Sequence, residues 1–257
     1  LGPYRWHAIG YSGTPTGSME HINNIALNAG LLTAQNPSDH SVVSHELAHA
    51  WFGNLVTCSS PDDMWFNEGG ASFTEELATC AAFGSEAAHD LMQQYMLLAL
   101  QGDDGMQPAL YAPAFRSIYG TTTYKKGAMV WRALRHYLGD SLFFPALQRL
   151  FITSEALCDS LSAYTATDIH PFFDFHVFRP GFVDYSIADF SCQPEGDLWR
   201  ASVTVRQRLT VDQEQPCAAN RLNITFFQGI VPVATHRLDF ASWSHSEAFL
   251  LPARADY

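Results

Sequence analysis

The sequence predicts an α+β protein, a mainly helical first part followed by a small β-sandwich. Three observations carry this. The chain has 257 residues, 47% apolar and only 16% charged, so it can bury a real core and is not a disordered chain. Up to about residue 170, apolar residues recur largely at helical spacing, with a few short strand-like pieces. From about Phe172 onward, short alternating runs separated by turn residues take over. A boundary near Pro171 therefore divides the chain into two domains, 1–171 and 172–257.

In chain order, Tyr4–Tyr11 is aromatic and apolar between Gly and Pro and reads as a strand; Asn24–Leu27 is a second candidate. Ser41–Asn54 reads as a helix, with Val42, Val43, Leu47, Ala50 and Trp51 on roughly helical spacing. Asn67–Phe83 is a second helix, ended near Gly84, and Ala87–Leu100 a third with Leu91, Met92, Tyr95, Leu98 and Ala99 on one face. Gly102–Phe115, with its Gly, Asp and prolines, reads as a loop. Thr123–Leu138 and Ser141–Phe151 are further helices. Phe182–Phe190, Trp199–Leu209, Arg221–Gln228 and Val231–Phe240 are the strands of the sandwich.

Composition excludes several function classes. No apolar run approaches the roughly 18 residues that cross a bilayer. The net charge is −12 and the only lysines are Lys125 and Lys126. No basic patch is available for a phosphate backbone, which argues against nucleic acid as a partner. Five cysteines without C-x-x-C spacing make neither a zinc ribbon nor a disulfide scaffold. In a secreted chain Cys192 could pair with Cys217, and Cys58 with Cys80, but spacing fixes no connectivity. Asn223-Ile224-Thr225 is a sequon that reads as a chance triplet on a strand. The start, Leu1-Gly2-Pro3, has neither a basic segment nor an apolar one, so the chain reads as a piece of something longer.

The chemistry lies in two helices. His45-Glu46-Leu47-Ala48-His49 is H-E-x-x-H, which puts two imidazoles on one helical face, both able to reach one metal. Glu68, 19 positions after His49 at the start of the next helix, can be returned to that face by a helix–turn–helix. Two histidines and one glutamate are a catalytic zinc set with one coordination position left open. Glu46, beside the metal, is placed to act as general base toward water. Glu75 lies two turns after Glu68; it can orient a ligand histidine or simply face solvent.

The segments His45–Thr57 and Asp63–Gly69 resemble the zinc aminopeptidase family of aminopeptidase N and the leukotriene-epoxide hydrolase, members of the gluzincins. Gly17-Ser18-Met19-Glu20-His21 resembles that family's G-A-M-E-N motif, and Tyr124-Lys125-Lys126-Gly127-Ala128 its Y-E-K-G-A segment. The resemblance implies a thermolysin-like catalytic domain over 1–171 and one zinc per chain, held by His45, His49 and Glu68. It implies hydrolysis of the N-terminal peptide bond of peptides with a free N-terminus, with Glu46 as base and Tyr124 as donor to the oxyanion. Glu20 would bind the substrate's α-amine, and Gly17, Ser18 and Met19 would run alongside its backbone. The family also carries an N-terminal β-domain and a C-terminal helical domain, neither of which fits in this chain. A secreted or periplasmic location is favoured over a cytoplasmic one.

Three positions depart from the family pattern. His21 replaces an Asn, Gly70 a Phe, and Lys125 a Glu; Lys125 reads as solvated. A related endopeptidase or epoxide hydrolase and a non-catalytic peptide-binding module are the alternatives to an aminopeptidase.

Overall fold

The computed structural model describes residues 1–33, 37–102, 107–113, 118–147, 153–211 and 213–257. The chain divides into two compact units, Leu1–Pro180 and Gly181–Tyr257. The division falls at Pro180, not near Pro171, because the intervening segment folds as a short helix whose Phe172, Phe173 and Phe175 are buried in the first unit.

The first unit opens with two strands, β1 (Gly10–Thr14) and β2 (Asn24–Asn28), paired in parallel from Gly10↔Asn24 to Thr14↔Asn28. Strand β1 starts later than the aromatic run Tyr4–Tyr11, because pairing with β2, not hydrophobicity, sets its extent. Met19 bridges Ala26 on the other edge of β2. In β2 the alternation holds: Ile25 and Leu27 are buried.

Among the described residues seven α-helices follow, and the second is the hub. Helix α1 (Pro37–Ala48) packs on α2 (Met64–Phe83). The apolar residues expected to face the core from α1, Val42, Val43 and Leu47, are half-buried, whereas Ser41, Ser44, His45 and Glu46 are buried. Thus α1 buries a polar face, and those groups need partners inside the protein. Helix α2 is buried along most of its length, from Trp65 to Thr79, and stops at Gly84, whose φ of +92° suits glycine. Helix α3 (Ser85–Gln101) buries Ala88, Met92, Tyr95 and Ala99, while Leu98 is exposed. The described part of the expected loop, 107–113, has no regular structure.

A π-helical turn, Thr122–Lys126, leads into α4 (Gly127–Leu138), which buries Val130, Trp131, Leu134 and Leu138. The expected helix Ser141–Phe151 is α5 (Asp140–Ala146), and 148–152 lie outside the described residues. Helix α6 (Ser154–Thr165) and helix α7 (His170–His176) were not anticipated, although Thr153 caps α6 by accepting from the Ala156 N–H at 3.1 Å. Trp65, Trp131, Phe52, Phe66 and Phe143 form the aromatic centre of this unit, with ring centroids 5.5 to 6.2 Å apart. No helix among the described residues is long and apolar enough to cross a membrane.

In the second unit β3 (Val183–Glu195), β4 (Leu198–Leu209) and β7 (Ser244–Leu251) form one antiparallel sheet, and β5 (Asn220–Gln228) and β6 (Val231–Phe240) a second. Ala201, Val203 and Val205 of β4 and Leu251 of β7 meet Phe226, Leu238 and Phe240 of the second sheet in one core. Strand β7 escaped the sequence pattern because its Ser-His-Ser-Glu start is polar.

All five cysteines are free. Cys58 is held at the N-terminal end of α2, where its N–H donates to Asn67 Oδ1 at 3.1 Å, whereas Cys80 lies near the other end of that helix. Cys217 is buried with its N–H on Gln207 Oε1, and Cys192 Sγ accepts from the Ala255 N–H.

Two glycines set how closely the elements of the first unit approach. A Cβ on Gly69 would stand 2.8 Å from Gly127 Cα, backbone against backbone, and one on Gly70 would stand 2.5 Å from the Phe52 ring. Phe52 thus occupies the space beside position 70, where the resembled family has a Phe. Gly69→Ala should destabilise the protein by about 1–3 kcal/mol through overpacking, read from urea denaturation of variant and parent. Equal midpoints would show that α2 and the start of α4 can separate at no cost.

Candidate metal centre

Helix α1 ends at Ala48, and the chain continues through tight turns in which Phe52 N–H donates to Ala48 O at 3.1 Å. This puts the Phe52 carbonyl 2.7 Å from His49 Nδ1. A carbonyl only accepts, so Nδ1 carries the proton and Nε2 presents its lone pair. His45 Nδ1 lies 2.9 Å from Glu75 Oε1, which likewise turns His45 Nε2 inward. Glu75 is therefore no solvated residue: it is 3% exposed and also accepts from the Tyr95 hydroxyl.

The freed nitrogens and one carboxylate oxygen converge. His45 Nε2 and His49 Nε2 are 3.1 Å apart, and each is 3.3 Å from Glu68 Oε2. A tetrahedral zinc with ligands at about 2.0–2.2 Å needs its ligand atoms roughly 3.3–3.6 Å apart. The three side chains are buried and are a group able to hold a metal ion.

The electrostatics point the same way. Burial opposes a charge on His45, but hydrogen bonds and attraction from Glu68 and Glu75 outweigh it and raise its pKa to about 9. Burial would raise the Glu68 pKa, yet its two histidines hold it down at about 2. Glu75 is also lowered, its bond to His45 prevailing over burial. A centre that draws positive charge this strongly between buried carboxylates suits a divalent cation, whose binding would release the proton on His45.

The remaining predicted residues gather round this centre unevenly. Glu46 is buried, and burial raises its pKa against the pull of His45 and His49, as befits a group that accepts and releases a proton. Glu20, Glu46 and His49 have polar atoms within 4.8 Å of one another. The Glu20 backbone is fixed by Asn54, whose side chain donates to Glu20 O at 2.8 Å and whose N–H donates to His49 O at 2.9 Å. Tyr124, in the π-helical turn, stacks on His45 with ring centroids 5.8 Å apart and an interplanar angle of 20°. Burial and the Glu68 carboxylate push its phenol well above the usual range, so it stays a donor.

Ser18, Met19 and Glu20 line the same cavity of about 510 Å³ as His45, His49, Glu68, Glu46 and Tyr124. Gly17 is not among its lining residues; it sits at φ +71° in the turn before them, where its carbonyl accepts from Thr14 Oγ1 at 2.9 Å. Met19 spends its N–H and C=O on Ala26, at 2.8 and 2.9 Å.

Several lining residues have no site role in the sequence reading, and two of them, Tyr95 and Lys125, are the best placed near His45. Tyr95 was read as a core position of α3, although a buried phenol needs an acceptor, here Glu75. Lys125 is not solvated as expected: it is half-buried, with its Nζ 3.7 Å from the centroid of the Tyr95 ring. No sequence signal told its inward direction, which depends on the π-helical turn.

The model of the Peptidase family M1 domain matches residues 5–174. Aminopeptidase Ey of Gallus gallus is 35% identical over 118 residues, 42% of this chain and 12% of that protein. Aminopeptidase N of Mus musculus is 38% identical over 114 residues, 40% of this chain and 12% of its own length. The chain thus spans a small part of the curated relatives it matches. Among solved structures, Legionella pneumophila aminopeptidase A in complex with aspartic acid is similar over 95% of this chain and 29% of its own, with a TM-score of 0.70 at 18% identity. Native leukotriene A4 hydrolase of Saccharomyces cerevisiae is similar over 70% of this chain and 33% of its own, with a TM-score of 0.61 at 23% identity. These two establish the likeness of fold, and the family match, extending over well more than half of the chain and spanning His45, His49 and Glu68, establishes kinship: the chain belongs to peptidase family M1.

Proposed function

We propose that this chain is the catalytic portion of a zinc-dependent aminopeptidase that removes the N-terminal residue from peptides. One observation carries the reading: the His45–His49–Glu68 group shares a single cavity with a buried carboxylate, Glu46, and a second carboxylate, Glu20, beside it. The names of the relatives, aminopeptidases Ey and N, support it. Kinship with aminopeptidase N is compatible with a location outside the cytoplasm.

His45, His49 and Glu68 would hold the zinc, with Glu75 and the Phe52 carbonyl fixing the two imidazoles. When bound there, zinc supplies Lewis acidity toward the scissile carbonyl and toward water. Glu46 takes the proton of the attacking water and passes it to the departing amine. Tyr124 donates its hydroxyl hydrogen to the oxygen that becomes an oxyanion, a contact worth more in the transition state than in the ground state. Glu20 pairs with the substrate's α-ammonium and so decides which bond lies at the metal. Ser18 and Met19 border the path of the substrate backbone.

Metal analysis should find about one zinc per chain, lost in His49→Ala; a variant with full zinc would sink the ligand set. Glu46→Gln should keep the metal and lose about 10²–10⁴-fold in kcat, the range of a general base. For Tyr124→Phe, kcat should fall about 10²–10³-fold with KM little changed; a raised KM at constant kcat would make Tyr124 a binding residue instead. Glu20→Ala should cut kcat/KM for free-amine peptides roughly 10–200-fold, the equivalent of one charge-assisted contact. Wild-type protein should cleave N-acetylated peptides poorly, and the variant should discriminate less. Efficient cleavage of acetylated peptides by the wild type would favour an endopeptidase.

A further inference from the structure

Lys125 carries a charge that none of these roles uses. The cavity is lined by four glutamates, Glu20, Glu46, Glu68 and Glu75, and among the described lining residues Lys125 is the only lysine or arginine. Each carboxylate has a partner or an assignment. Glu68 belongs to the metal-ligating group, Glu75 holds His45 and Tyr95, and Glu46 and Glu20 serve water and the α-ammonium. The Lys125 ammonium rests on the face of the Tyr95 ring. A ring face attracts a cation but leaves most of the three N–H donors of an ammonium for another acceptor.

Position assigns that acceptor. Glu20 stands on the His49 side of the metal-ligating group, with its carboxylate near Glu46 and His49. Lys125 stands on the His45 side, over the tyrosine that donates to the partner of His45. A peptide with its amine at Glu20 and its scissile carbonyl at the His45–His49–Glu68 group would extend its next residue away from Glu20, toward the His45 side where Lys125 stands.

We propose, on the aminopeptidase reading, that Lys125 selects peptides carrying a carboxylate on the residue that follows the scissile bond. That carboxylate is either an acidic side chain or the α-carboxylate of a dipeptide; both offer the same acceptor to the ammonium. Burial lowers the pKa of Lys125 and Glu75 offsets this only in part, so an entering carboxylate would supply the counter-charge that the buried ammonium still lacks. Where the resembled family has a glutamate, the local charge would repel such a group.

The test compares three substrates on the zinc-loaded protein: Ala-Glu-amide, with only a side-chain carboxylate; Ala-Gln, with only an α-carboxylate; and Ala-Gln-amide, with neither. At least one of the first two should exceed Ala-Gln-amide in kcat/KM by about 10-fold, the lower end for a charge-assisted contact in a half-open site, and which one does so names the source. Lys125→Gln should remove the preference, Lys125→Arg should keep it, and Lys125→Glu should invert it. Equal rates on all three substrates, or a preference surviving in Lys125→Gln, would overturn the proposal. Binding of the same three ligands to the zinc-loaded Glu46→Gln protein, measured by calorimetry, separates the two readings. A carboxylate preference in binding without hydrolysis by the wild type would uphold Lys125 and sink the aminopeptidase.

Discussion

The centre of this structure depends on a helix that buries its polar face. Along α1 the polar Ser41, Ser44, His45 and Glu46 turn inward together with Ala48, whereas Val42, Val43 and Leu47 are half-buried. Such burial is costly unless every group finds a partner. Ser44 finds the Ser41 carbonyl, His45 finds Glu75, and His49 finds the Phe52 carbonyl. Each of the two histidine bonds occupies the ring nitrogen that faces away from the centre. The cost of burying polar groups is thereby met by bonds that also orient the inward nitrogens of His45 and His49 toward Glu68, so the contacts that offset burial also shape the candidate metal centre.

Helix α2 makes this possible through its own sequence. It supplies Glu68 to the centre and Glu75 behind it on the same face, two turns apart. Between them lie Gly69 and Gly70, which let other chain segments come closer than a side chain would allow. Gly127 approaches Gly69 at backbone contact, and this brings the π-helical turn with Tyr124 against His45. Phe52 fills the space beside Gly70, and its backbone carbonyl holds His49. π-helical turns recur at functional sites because they displace one residue from the regular helical pattern, and here the displaced stretch contains both Tyr124 and Lys125.

Charge organises the cavity as much as shape does. Four glutamates in one partly closed space would repel one another, yet each is set apart by a different neighbour: two histidines for Glu68, one histidine and a phenol for Glu75, and burial for Glu46, whose pKa is raised. Glu20 is half-buried, its backbone carbonyl held by Asn54. Glu68, Glu75 and Glu46 thus differ in proton affinity through their surroundings although they are one residue type.

The fold class, the helical run through H-E-x-x-H, the return of Glu68 to its histidines and four of the five sandwich strands are legible in the residues alone. These rest on local rules: helical periodicity, strand alternation and ligand spacing on one helical face. The inward face of α1 was not legible, because hydrophobic spacing marks the face that water should leave, whereas this helix is turned by hydrogen bonds from α2. The extent of β1 followed from pairing with β2, and the end of the first unit from the burial of Phe172, Phe173 and Phe175. That Glu75 and Tyr95 stand behind His45, and that Lys125 points inward, emerges only from how the elements pack. Those placements depend on where α2, α3 and the π-helical turn meet, and on the close approach of Gly69 and Gly127, which no spacing within a single segment encodes.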